Sequence, residues 1–159
     1  MCRLCWASVV LLLLVVAGMG YKFIFSGEVT MTADGREAIV LAPAERDMVL
    51  EEMREFLVSV QAITEGIGNG DMAAVVEAAR AVGASTQRAV PGSLVRKLPL
   101  EFKQMGFDTH SKFDQLALDA EQLGDAEYAL SQLSELLQNC TACHAMYRFE
   151  TAAAIQQGQ

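Results

Sequence analysis

From Pro43 onward, apolar residues recur at the three-and-four spacing of amphipathic helices. Val49, Leu50, Met53, Phe56, Leu57, Val60 and Ile63 form a first stripe. Pro43 suits the first helical turn, and Glu45 and Asp47 suit its positive end. Gly66, Gly68 and Gly70 predict a break, and Asp71 predicts the cap of a second helix. That helix carries Val75, Val76, Ala79 and Val82 and stops at Gly83. Residues 84–98, with Pro91-Gly92 inside, read as a long connection. Pro99 opens a third helix with Phe102, Met105, Phe113, Leu116, Ala117, Ala120 and Leu123, and Gly106 is a weak point within it. Gly124-Asp125 is a stop followed by a cap. The fourth helix presents Leu130, Leu133, Leu136, Leu137, Cys140, His144 and Tyr147.

Four apolar stripes joined mostly by short or moderate links predict an all-α fold. An antiparallel up-down-up-down four-helix bundle buries all four. Ahead of it the pattern differs. Residues 4–20 are apolar and uncharged, just under the ~20 residues that span a bilayer. Arg3 precedes them, and Tyr21 and Lys22 follow. The segment reads as a transmembrane anchor by its length and by interfacial Tyr21. It also reads as a signal peptide, with a basic start and small Gly18 and Gly20 placed for cleavage. Both readings export the remainder. Residues 28–41 are not helical in pattern, and Asp34-Gly35 between two β-prone runs signals a type I′ hairpin. The chain therefore divides into an anchor or signal at 1–22, an exported tether with a candidate hairpin at 23–42, and a helical domain at 43–155.

Composition narrows the partners. The formal net charge is −8, which disfavours nucleic acid and suits a basic protein partner. The four cysteines fall in two distant pairs, Cys2 with Cys5 and Cys140 with Cys143. A disulfide scaffold would spread them through the domain instead. Cys2 and Cys5 read as small residues at the membrane edge.

The second pair carries chemistry. Cys140-Thr141-Ala142-Cys143-His144 fits the pattern of c-type haem attachment. Two thiols three positions apart on a helical turn can reach the two vinyl groups along one porphyrin edge. His144 then offers an imidazole as axial ligand to the iron. Leu133, Leu136, Leu137 and Cys140 continue along one face to His144, so the motif lies on the core stripe. Export also fits, because this attachment takes place outside the bacterial inner membrane. A thioredoxin-like CxxC would instead follow a strand at a helix N-terminus. A zinc site would need further ligands, and His110 is the one other histidine. Within Asp108-Thr109-His110-Ser111-Lys112, His110 reads as part of a polar face rather than as a sixth ligand.

With the motif near the end of a fourth helix, residues 43–150 resemble the cytochrome c prime family. The resemblance rests on CTACHAMYR at 140–148, on Arg46, Leu50 and Met53 in the first helix, and on the loop before Asp71. It implies one covalent haem c (iron) per chain. Cys140 and Cys143 would form the thioethers, and His144 would be the metal ligand. Arg148 would lie beside the proximal imidazole and Arg46 near a haem propionate. Leu50 would occupy the distal position, which bears an apolar or aromatic cap in high-spin members and a ligating methionine in low-spin ones. Met53, one turn on, is the alternative distal group. The family also implies a homodimer through the first two helices.

The expected function is electron transfer at the periplasmic face of the bacterial inner membrane, with respiratory-chain redox proteins as partners. Binding of NO or CO by a five-coordinate haem is the alternative, as is a soluble periplasmic location after signal cleavage. No paired acid and base suggests an enzyme.

Overall fold

The computed structural model describes residues 3–157. Helix accounts for 79% of the chain, in seven α-helices among the described residues, and a small three-stranded sheet departs from the all-α expectation. Helix α1 (Arg3–Gly20) runs into a π-helical turn over Tyr21–Ser26. Together Cys5–Ser26 make a 22-residue apolar helix, and no residue of its most apolar window is buried. At ~1.5 Å per residue it is ~33 Å long, enough to cross a bilayer core of ~30 Å. Cys5 is exposed on it, and Cys2 lies outside the described residues.

The hairpin forms from β1 (Val29–Met31) and β2 (Glu37–Val40), paired antiparallel with Val29 opposite Ile39. Its turn is not type I′, which needs two residues at positive φ. Here Gly35 alone has one, at 84°. The turn is closed by Gly35 N–H to the Thr32 carbonyl and Thr32 N–H to the Arg36 carbonyl.

Helix α2 spans Pro43–Asn69, so Gly66 and Gly68 do not break it; Gly70 ends it in the left-handed conformation. Gly66 is there for contact rather than for a break. A Cβ on it would stand 2.8 Å from Val75 Cγ2, so its absence lets α3 (Met72–Ala81) lie close. Asp71 caps α3 as expected, accepting from Ala74 N–H at 3.0 Å. The stretch read as a connection is itself wound. It holds a 3₁₀ turn at Ala84–Ala89 and helix α4 (Gly92–Lys97), whose Leu94 is buried. Then come α5 (Leu100–Leu123) and α6 (Ala126–Met146), the latter capped by Asp125. Helix α2 packs against α3 and α6, and α5 also packs against α3 and α6.

Helix α6 stops at Met146, and Tyr147–Glu150 form β3, not a last helical turn. β3 pairs parallel to β2, Tyr147 beside Glu37 and Phe149 beside Ile39. The reason lies in the alternation Tyr-Arg-Phe-Glu, the period of a strand. Tyr147 and Phe149 both meet Phe102 edge-on, at 5.5 and 5.6 Å between ring centroids, while Arg148 and Glu150 take the alternate positions. A third strand and an aromatic contact stabilise a hairpin that would be marginal alone. A short helix α7 (Ala152–Gln157) follows.

The buried residues form two clusters. One joins Ile63, Val75, Phe113, Leu116 and Leu136. The other joins Ile39, Leu41, Val49, Leu94, Phe102 and Tyr147. The stripes bury less than their sequence pattern suggests. Leu57, Leu123 and Leu130 are at least half exposed.

Candidate functional site

Cys140 and Cys143 lie where the two clusters meet, Cys140 packing against the first and Cys143 against the second. Both thiols and His144 line a cavity of about 600 Å³ bounded by α2, the 84–90 segment, α4, α5 and α6. That size lies inside the ~300–1,000 Å³ range of pockets that take small molecules and cofactors. Its apolar wall includes Val49, Met53, Phe56, Leu94, Leu98, Phe102 and Met105.

Several local bonds hold this end of α6 in place. Asn139 Nδ2 donates to Asp108 Oδ2 at 2.8 Å and to Thr109 Oγ1 at 3.1 Å. These join α5 to α6 one residue before Cys140. Arg36 Nη1 approaches the His144 carbonyl at 3.5 Å, and β3 begins three residues after His144. The imidazole is therefore carried between a helix clasped to α5 and a strand paired to β2.

Burial pushes the Cys143 thiol up to about 11, with Cys140 beside it adding to the effect, and burial also raises Cys140. A redox or zinc-binding CxxC needs thiolates, which a positive environment favours. Here burial in the apolar wall disfavours the thiolate forms of both. The cavity's volume and largely apolar lining, with Cys140, Cys143 and His144 among the lining residues, leave room for a macrocycle.

The other predicted residues divide. Met53 lines the cavity; Leu50, Arg46 and Arg148 do not. Arg148 sits on β3, where it pairs with Asp34 and Glu150. Arg46 and Leu50 are half-buried on α2.

His110 is not on a polar face. It is 2% exposed and part of the cavity lining. Nδ1 lies 2.8 Å from the Val82 carbonyl, Nε2 lies 3.5 Å from Glu52 Oε1, and Phe56 packs on the ring. Burial lowers its pKa, but the Glu52 carboxylate and the Val82 carbonyl outweigh that and raise it overall. A signal was present in the sequence. His110 sits four residues after Gly106 and three before Phe113, on the stripe that begins at Phe102. Leu94 and Leu98, four apart, carried a similar signal for α4.

No family model, curated protein or solved structure matches this chain.

Proposed function

We propose that this chain is a c-type cytochrome of the cytochrome c prime kind, carrying one covalent haem and transferring electrons at the periplasmic face of the bacterial inner membrane. The observation that carries the reading is that Cys140, Cys143 and His144 together line one apolar cavity of about 600 Å³. Cys140 and Cys143 would hold the macrocycle by thioethers, and His144 would hold its iron. Bound there, the haem would supply one-electron chemistry. The protein's part would be to cover the group with the apolar wall and to hold the His144 imidazole through β3 and the Asn139 clasp.

Helices α2, α3, α5 and α6 would make the up-down-up-down bundle of that family. The reading is supported by each of the four packing against two of the others in a closed ring. The apolar helix Cys5–Ser26 would tether the haem domain as an anchor. Met53, in the cavity wall, would offer a thioether to the iron, and Leu50 does not line the cavity. Methionine with histidine is an electron-transfer ligand pair, which favours electron transfer over gas binding.

Expression of the full chain in a host with haem-maturation machinery tests the central reading. The haem should stay with the polypeptide through denaturing electrophoresis, and Cys140→Ala or Cys143→Ala should weaken that attachment. A pyridine haemochrome spectrum of the non-covalent type would overturn it. A low-spin spectrum with a sulfur-to-iron charge-transfer band, lost in Met53→Ala, would support electron transfer. A high-spin spectrum with ready CO binding would move the function to gas binding. Retention in membranes through high-salt washing, with Met1 as first residue, tests the anchor.

A further inference from the structure

Helix α5 keeps a glycine in its interior that neither the backbone nor packing requires. Gly106 lies well inside the helix and is not among the glycines at positive φ. Its backbone conformation is therefore open to any helix-forming residue. A Cβ built on it would meet no packed neighbour within 4 Å, whereas one on Gly66 would collide with α3. Glycine is the least favourable residue in a helix interior after proline. The chain thus carries a weak point in α5 and leaves open space beside it.

That space belongs to the cavity. Residues three and four positions apart share one face of a helix. For Gly106 these neighbours are Phe102, Lys103, Thr109 and His110, and all four line the cavity together with Gly106 itself. Phe102, Thr109 and His110 are buried. Gly106 therefore stands in the middle of the strip that α5 turns to the cavity, flanked by side chains and bearing none. Glycine serves where a ligand must come close to the backbone. We propose that Gly106 sets the depth of the cavity, and that the ring of the cofactor lies directly against the α5 backbone at this position. A side chain there would occupy volume that the ring needs. The inference rests on the haem reading above.

The test uses the full chain, matured in a host that attaches haem, and compares wild type with Gly106→Leu, Gly106→Ala and Gly68→Leu. Gly68 is the control. It also lies in a helix, α2, with open space at its Cβ position, but it does not line the cavity. Intact-protein mass spectrometry reads covalent haem per chain, and circular dichroism in the haem absorption region reads how the ring sits. Leucine is a better helix former than glycine, so Gly106→Leu should keep its helix content in the far ultraviolet. Its haem content should nevertheless fall several-fold. Gly106→Ala should keep its haem with an altered haem dichroism, and Gly68→Leu should match wild type in both readings. Should Gly106→Leu not accumulate, the haem dichroism of Gly106→Ala decides in its place. Wild-type haem content and dichroism in the deciding Gly106 variant would overturn this assignment alone, as would an equal loss of haem in Gly68→Leu. A wild-type chain without thioether-bound haem would overturn the haem reading and this assignment with it.

Discussion

Asp34, in the hairpin turn, and Arg148, on β3, are 114 residues apart and meet in an ion pair of 3.3 Å. Asp34 also takes Arg36 at 2.7 Å, and Arg148 also pairs with Glu150. The cluster joins the hairpin to the strand that leaves His144. Hydrogen bonds from Thr32 and Arg36 hold the Asp34 carboxyl well below the usual carboxylate range. A depressed carboxylate contributes stability that is present above its ordinary value near ~4 and lost as pH falls through the folded one. Protection of the 147–150 amides from hydrogen exchange should therefore be equal at pH 7 and pH 5. Asp34→Asn should reduce it at both. The pair is exposed, so the change in Tm should be small, and unchanged protection in Asp34→Asn would remove the cluster's role.

Glu45 reaches back to the Ala42 N–H at 2.9 Å and pairs with Lys97 at 2.6 Å, both partners being largely covered. Lys97, then the Ala42 N–H, lowers its pKa. Glu45→Ala removes a helix cap and an ion pair and should cost about 1–2 kcal/mol at pH 7. The difference from wild type should shrink as pH falls below ~4.3, the unfolded value, toward the lower folded one. Thermal melts across pH 3–7 check both the size and the sign.

Gly27 has φ 63° and ψ −160°, a region essentially reserved for glycine. A Cβ there would stand 2.5 Å from the Lys97 carbonyl oxygen and 2.6 Å from the Pro99 nitrogen. Both are backbone atoms and cannot swing away. Gly27→Ala should cost about 2 kcal/mol or more, measured by denaturant unfolding. Gly35, with open space around its Cβ position, should tolerate alanine better despite its positive φ.

On α6, Leu136 is fully buried and Leu130 is 50% exposed, though both belong to the same sequence stripe. Leu136→Ala should cost about 2–5 kcal/mol, and Leu130→Ala should stay within about 0.5 kcal/mol. Equal effects would mean that the helix faces the core with a different rotation.

His110→Ala should destabilise by leaving the Val82 carbonyl and Glu52 without their buried partner, at about 1–3 kcal/mol. Its raised pKa makes the pairing with Glu52 strongest below ~6.5, and the contribution is lost as pH rises through the folded value. The gap between wild type and His110→Ala should accordingly narrow at alkaline pH in thermal melts.

What the sequence determined by itself is what neighbours a few positions apart control. The Asp71 and Asp125 caps, the stop at Gly124 and the helices over Val49–Ile63 and Leu130–Cys140 all depend on one turn of chain. The spacing of Cys140, Cys143 and His144 is likewise local, so these three candidate residues were legible before their surroundings. Even β3 left a trace in the alternation of Tyr147 to Glu150, but a four-residue strand needs a partner, and that partner lies at Glu37–Val40. Only the tertiary structure decided matters of rotation and distant pairing. Each residue turns a helix by about 100°, so a small difference in how α2 is rotated separates Met53 in the cavity wall from Leu50 outside it. The same rotation on α5 brings His110 inward from a segment that reads as polar. Local periodicity says that a helix has an apolar face, and the packing of the other helices chooses which part of that face meets the cavity.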